Sequence, residues 1–205
     1  TRKAGEFFRK IKYKMNSVKD VMVVGGGEIG HYLCEQLIRS GMSVKLIEKD
    51  PARCETLCAT LDDGVAVING DASDQNILVE SGLEQTGAFV ALTNLDEENI
   101  LLSLFAKSVC DCKCVTKINR IGFDNVISKL DLDTIINPKS ITSDTIVRYV
   151  RAMSSSRGSN METLYNVIKG KVEAAEFIIK EDSPVIDVPL MELDLKPDVL
   201  VAAIL

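Results

Sequence analysis

The chain has 205 residues, 46% of them hydrophobic, 26% charged, with a formal net charge of −6 at pH 7; this is a globular composition, with enough core for one ordinary domain and a small one. No stretch approaches the ~18 to 20 uninterrupted apolar residues of a membrane span, and the opening segment TRKAGEFFRKIKYKMN lacks the apolar stretch of a signal peptide. Trp is absent and aromatic residues make up 5%, so no stacking pattern supports nucleic-acid binding, and the expected setting is cytoplasmic.

The first twenty residues hold seven Lys or Arg against Glu6 and Asp20, a net of +5, which leaves −11 on the remainder. A basic start of this kind meets anionic lipid or nucleic acid, but a surface helix or linker accounts for it equally. Residues 1–17 are therefore expected to be a basic linker segment.

Residues 18–153 are expected to form an α/β unit of Rossmann-like, doubly wound type. Val21 to Asp50 reads strand, glycine turn, helix, strand and acid. The glycines fall as Gly25-x-Gly27-x-x-Gly30: the first for a tight turn, the second for close approach of a pyrophosphate, the third for helix-to-strand packing. Glu28 and Ile29 lie within the turn, at a helix N-terminus whose unpaired N–H groups and partial positive charge attract phosphate. Glu48, eighteen residues after Gly30 at the end of SVKLIE, is placed to take ribose hydroxyls, with Lys49 beside it.

Strand and helix then alternate, as in a parallel sheet covered on both faces. A helix is expected over 51–62, with Pro51 in its first turn, followed by the strand GVAVING. Asp74 or Ser73 caps the next helix, QNILVESG, which stops at Gly82. The strand AFVALT precedes the acidic turn Asp96-Glu97-Glu98, which places acids at the positive end of the helix ENILLSLFAKSV. The strand KCVTKI, a short helix FDNVISKL, the strand DTIIN and a helix from about Lys139 to Met153 complete six strands.

In such sheets ligands bind beyond the carboxyl ends of the strands. Those ends carry the glycine turn, Glu48, Asp71 and Ala72, Thr93 and Asn94, and Lys117, which are expected to converge. Taken singly, Asp71 also suits a turn cap, Asn94 a helix start, and Lys117 a solvated surface.

Composition changes at Ser154 to Asn160, read as a flexible linker. Residues 161–205 suggest two strands around Gly170, a short helix near Leu190 to Leu193, and a final strand DVLVAAIL. Ending inside an apolar strand leaves an unpartnered edge, so this small α+β subdomain is expected to be truncated. The six cysteines, Cys34, Cys54, Cys58, Cys110, Cys112 and Cys114, lack the CxxC pairs usual in zinc sites and are read as reduced, buried small hydrophobes.

VMVVGGGEIGHYLCEQL, the Glu48-Lys49-Asp50 turn, NGDASD, ALTNLDEENI and SPVIDVPLMEL together resemble the KTN/RCK (regulator of potassium conductance) family, most closely the second half of a Trk-type potassium uptake regulatory subunit. The resemblance runs from about Val18 to the C-terminus. It implies a cytoplasmic sensor, peripheral on the inner face of the plasma membrane, whose dimers build a ring and whose bound nucleotide gates a membrane-embedded potassium channel or transporter. By the same resemblance Gly25, Gly27 and Gly30 cradle phosphates, Glu48 takes ribose, Asp71 and Ala72 meet adenine, and Thr93, Asn94 and Lys117 complete the pocket. The helix around Ile141 to Met153 would pair subunits.

One position departs from some ATP-sensing relatives of that family, in which an arginine of the glycine turn reaches terminal phosphates; here it is Glu28. Two like charges at ~4 Å cost about 1 to 4 kcal/mol depending on screening, so NAD(H) or AMP/ADP is expected over ATP. The rival function is an NAD-dependent oxidoreductase with a reduced substrate domain. It needs an acid/base beside the reacting carbon, yet His31, the only histidine, follows Gly30 inside the first helix, and Tyr149 is followed by Ala152 and Met153, not by a lysine four residues on. A purely structural assembly domain leaves the glycine turn and Glu48 without a role. The expected protein is a regulator, not an enzyme.

Overall fold

The computed structural model describes residues 18–120, 124–127, 129–155, 161–168 and 172–177, with 179, 181, 183, 185–193 and 200. Two compact units divide between Ile141 and Thr142.

The first unit is built on a six-stranded sheet: β1 (Asp20–Val24), β2 (Ser43–Glu48), β3 (Val65–Asn69), β4 (Ala88–Ala91), β5 (Lys113–Lys117) and β6 (Thr134–Ile136). Their order is β3-β2-β1-β4-β5-β6, and every pairing is parallel. Between them run α1 (Glu28–Arg39), α2 (Pro51–Thr60), α3 (Gln75–Glu80), α4 (Asp96–Val109) and α5 (Asp124–Ile127). The Rossmann-like α/β expectation therefore holds, and the strand order reverses between β1 and β4, where such sheets open a crevice.

Alternation along β1 divides the core in two. Met22 and Val24 face one layer with Ile47, Phe89, Ala91 and Leu102; Val21 and Val23 face the other with Cys34, Val44, Leu46 and Leu57. Successive strand residues point to opposite faces, so a strand buried on both sides reads as an unbroken apolar run. That is why VMVV carries no polar residue.

Local chemistry sets the helix ends. Asp50 accepts from the Ala52 amide at 3.0 Å ahead of Pro51, and Asp74, rather than Ser73, accepts from the Asn76 amide at 3.0 Å to cap α3. The α2 helix ends at Thr60, short of the expected residue 62, because Leu61 turns to an extended conformation. After α3, Gly82 takes φ 86° and opens a 3₁₀ turn, Leu83–Gln85, which the local sequence pattern does not signal. The ladder of β4 ends at Ala91, so Leu92 and Thr93 belong to the loop.

The helix α6 (Pro138–Ser155) starts in the first unit and continues in the second, taking in Ser154 and Ser155; the rest of the expected linker, 156–160, lies outside the described residues. In the second unit β7 (Met161–Ile168) and β8 (Val172–Phe177) pair antiparallel, and Leu190–Glu192 forms a 3₁₀ turn where a short helix is expected. Of the strand expected over 198–205 only Leu200 is described, in no regular element. Among the described residues no helix is long and apolar enough to cross a membrane.

Candidate functional site

A cleft of about 490 Å³ opens at the carboxyl ends of the strands, within the range usual for small-molecule sites. All twelve residues singled out from the sequence line it: Gly25, Gly27, Glu28, Ile29 and Gly30 from the turn after β1, Glu48 and Lys49 after β2, Asp71 and Ala72 after β3, Thr93 and Asn94 after β4, and Lys117 at the end of β5. Six further residues complete the lining: Val24, Ile47, Gly70, Leu92, Leu95 and Glu98. The first four adjoin polar strand tips and are readable as their neighbours. Glu98 reads in the sequence only as an acid suited to the helix dipole, a local role that hides its place on the wall.

The three glycines of the motif do different work. Gly25 has φ 104°, and a Cβ there would sit 2.9 Å from the Leu92 carbonyl carbon, so the β1 and β4 ends can approach only with glycine. A Cβ on Gly30 would collide with the Gly25 carbonyl oxygen, whereas one on Gly27 would meet nothing within 4 Å. Gly27 is also the N-cap of α1 and provides no side-chain cap, leaving the helix's first N–H groups and its positive end open toward the cleft.

The neighbouring Gly26 peptide is clamped from both sides. Its N–H donates to Glu48 Oε2 at 2.7 Å, and its carbonyl accepts from Arg53 Nε at 2.7 Å. The other Glu48 oxygen accepts from the Asp50 amide at 2.9 Å. Glu48 thus braces the glycine turn, while each carboxylate oxygen retains acceptor capacity for a hydroxyl. Arg53 Nη2 also reaches Glu28 Oε1 at 3.2 Å, so Glu28 is not the free negative charge that the sequence suggests.

Asp71 Oδ1 accepts from the Ser73 hydroxyl at 2.7 Å and the Ser73 amide at 2.9 Å. These bonds, with a smaller contribution from Lys49, hold its carboxyl below the usual range. Opposite, Asn99 is fully buried and joins two strand ends: Oδ1 accepts from the Thr93 amide and hydroxyl, each at 2.8 Å, while Nδ2 donates to the carbonyls of Thr93 at 3.0 Å and Lys117 at 2.9 Å. Asp96 fastens the start of α4 to the loop after β5, accepting from the amides of Asn119 and Arg120, each at 2.9 Å.

Lys117 is 6% exposed. Burial lowers its pKa, the Asp96 charge opposing, and among the described residues none forms an ion pair with it. A buried ammonium on the wall of a cleft favours an anion inside. His31 does not line the cleft; its Nε2 lies 3.2 Å from Thr60 Oγ1. The cysteine expectation holds for Cys34, Cys54, Cys112 and Cys114, which are buried, while Cys110 is half-buried and Cys58 is exposed, a departure.

The TrkA-N domain family model matches residues 21–138. The chain belongs to the TrkA-N domain family. Among its relatives, the Trk system potassium uptake protein TrkA of Haemophilus influenzae is 33% identical over 187 residues, covering 91% of this chain and 40% of that protein. A TrkA homolog of Archaeoglobus fulgidus is 29% identical over 184 residues, covering 90% of this chain and 40% of its own. The chain thus spans about two fifths of the length of these curated relatives. The TrkA-N domain of the inner membrane protein ybaL from Escherichia coli shares the fold at a TM-score of 0.57 and 18% identity, over 65% of this chain and 97% of that one. The GsuK channel bound to NAD does so at 0.52 and 14%, over 81% of this chain and 29% of the channel's. This TrkA-N domain therefore shares its fold with these two structures, and its relatives carry the names of potassium uptake proteins.

Proposed function

We propose that this TrkA-N domain binds an adenine nucleotide in the cleft and acts within a cytoplasmic regulatory subunit that gates a membrane-embedded potassium channel or transporter. The observation that carries the nucleotide is the open space around Gly27 at the uncapped start of α1, where phosphates would sit against backbone N–H groups. Ribose then falls to Glu48 and adenine to Asp71 and Ala72, with Thr93, Asn94 and Lys117 closing the far wall. The relatives named as Trk system potassium uptake proteins support the transport role. The GsuK channel bound to NAD supports a dinucleotide as ligand, and NAD(H), AMP or ADP is favoured over ATP.

Regulation requires only that the ligand bind two arrangements of an assembly with different affinity. The exposed apolar side chains of Ile146, Tyr149 and Val150 on α6 suit pairing of two copies into a dimer that builds a ring. Residues 18–153 would be the nucleotide-binding unit with its pairing helix, and 161–205 a small terminal subdomain. A regulator needs no acid/base catalyst beside its ligand, and the names of the relatives as potassium uptake proteins support a regulator rather than an enzyme.

Calorimetric titration with NADH, NAD, AMP, ADP and ATP tests the reading. Binding of NAD(H), AMP or ADP is expected. Failure of every adenine nucleotide to bind overturns the site, and ATP binding about tenfold tighter than the others overturns the ligand preference.

A further inference from the structure

Arg53 lies on α2 and is not part of the cleft lining, but it stands directly behind it. Its Nε is anchored on the Gly26 carbonyl at 2.7 Å, and its Nη2 is taken by Glu28 Oε1 at 3.2 Å. The two partners differ in cover: the Glu28 side chain is 78% exposed and that of Arg53 29%. A covered guanidinium therefore sits behind an exposed carboxylate, and that carboxylate lines the cleft beside the open first turn of α1.

Guanidinium presents a rigid fork of donors that fits phosphate oxygens. The Nε anchor fixes the plane of that fork from the backbone side, whether or not Glu28 holds the other end. We infer that the Glu28–Arg53 pair is a specificity element of this site: Glu28 occupies the guanidinium that a terminal phosphate would take. A triphosphate is disfavoured because it must compete with Glu28 for Arg53, and not by repulsion from Glu28 alone. A dinucleotide or nucleoside diphosphate, whose charge ends at the first turn of α1, makes no such demand. This rests on the proposed nucleotide site and names what selects among nucleotides there.

The competition is weak enough to reverse, since an ion pair with one partner so exposed holds loosely. The test uses four full chains: wild type, Glu28→Gln, Arg53→Lys, and the double variant. Arg53→Lys keeps the charge and removes the fork, and a thermal melt confirms that each variant is folded. Titration with ATP and with NAD should show the ATP-to-NAD affinity ratio rising about tenfold in Glu28→Gln. Most of that rise should vanish when Arg53→Lys is added, so that the two substitutions are not additive. An equal rise with and without Arg53 would leave bare repulsion as the cause and overturn the inference, as would an unchanged ratio in Glu28→Gln. If wild type binds neither nucleotide, the site reading itself is overturned; if it binds NAD and the cycle is additive, only the role of Arg53 is.

Discussion

The Asn99 side-chain amide donates to the Lys117 carbonyl at 2.9 Å, tying the tips of β4 and β5 together beneath the cleft. Both Asn99 side-chain atoms are engaged, with four bonds to Thr93 and Lys117, and the residue has no exposure at all. A buried polar residue is tolerated only when so satisfied.

Replacing Asn99 with Leu strands the Thr93 amide and the Lys117 carbonyl. Each buried group left unpaired costs ~1 to 3 kcal/mol, so Asn99→Leu should lose roughly 2 to 6 kcal/mol of stability in urea denaturation and weaken nucleotide binding in whatever folds. Wild-type stability in this variant would show that the loop after β4 is held by other contacts.

Gly30 and Gly27 should separate folding from binding. A methyl group on Gly30 has no room against the Gly25 carbonyl, and overpacking of this kind costs ~1 to 3 kcal/mol; Gly30→Ala should therefore lower the urea midpoint. Gly27 already has φ −66°, and a side-chain carbon added there would meet nothing within 4 Å. Gly27→Asp should then melt within about 0.5 kcal/mol of wild type, yet bind no nucleotide, because a carboxylate occupies the phosphate position. Unchanged affinity in Gly27→Asp would place the ligand elsewhere.

The contrast between these glycines also marks what is legible in the chain. Spacing and order locate the turn, Glu48, Asp71, Asn94 and Lys117 on successive strand ends because in a parallel sheet every such end lies on one edge. Partners across helices are not legible. Nothing in the local pattern around Arg53 says that it reaches back 27 residues to the Gly26 carbonyl, or that Asn99 in the helix ENILLSLFAKSV spans two loops. Glu28 is misjudged for the same reason: its charge is a property of the sequence, its pairing a property of the fold. Element ends slip where a single residue leaves the ladder, as Leu92 does after β4.

The exposed stripe on α6 predicts self-association. Ile146, Tyr149 and Val150 stand at i, i+3 and i+4, on one side of a helix, and each is more than half exposed. Replacing Tyr149 and Val150 with Asp should reduce the sedimentation coefficient of the chain to that of a monomer while leaving its circular dichroism intact. A wild-type chain that already sediments as a monomer at high concentration would argue against this helix as the pairing element.

Lys117 should make both stability and binding depend on alkaline pH. Burial holds its pKa below the ordinary 10.5, with Asp96 acting the other way. Between the depressed value and 10.5 the unfolded chain carries more protons than the folded one, so the stability of the empty protein rises with pH across that window. An anion beside the ammonium raises the pKa again. Binding of ADP, whose phosphates are already ionised, therefore takes up a proton in the same window, and affinity falls as pH rises through it. Lys117→Met should abolish both slopes, leave the empty protein more stable near neutrality, and weaken ADP. The check is a series of ADP titrations between neutral and alkaline pH, run on both chains beside urea melts. Equal slopes for wild type and Lys117→Met would mean that another group carries the proton and that Lys117 does not face the phosphates.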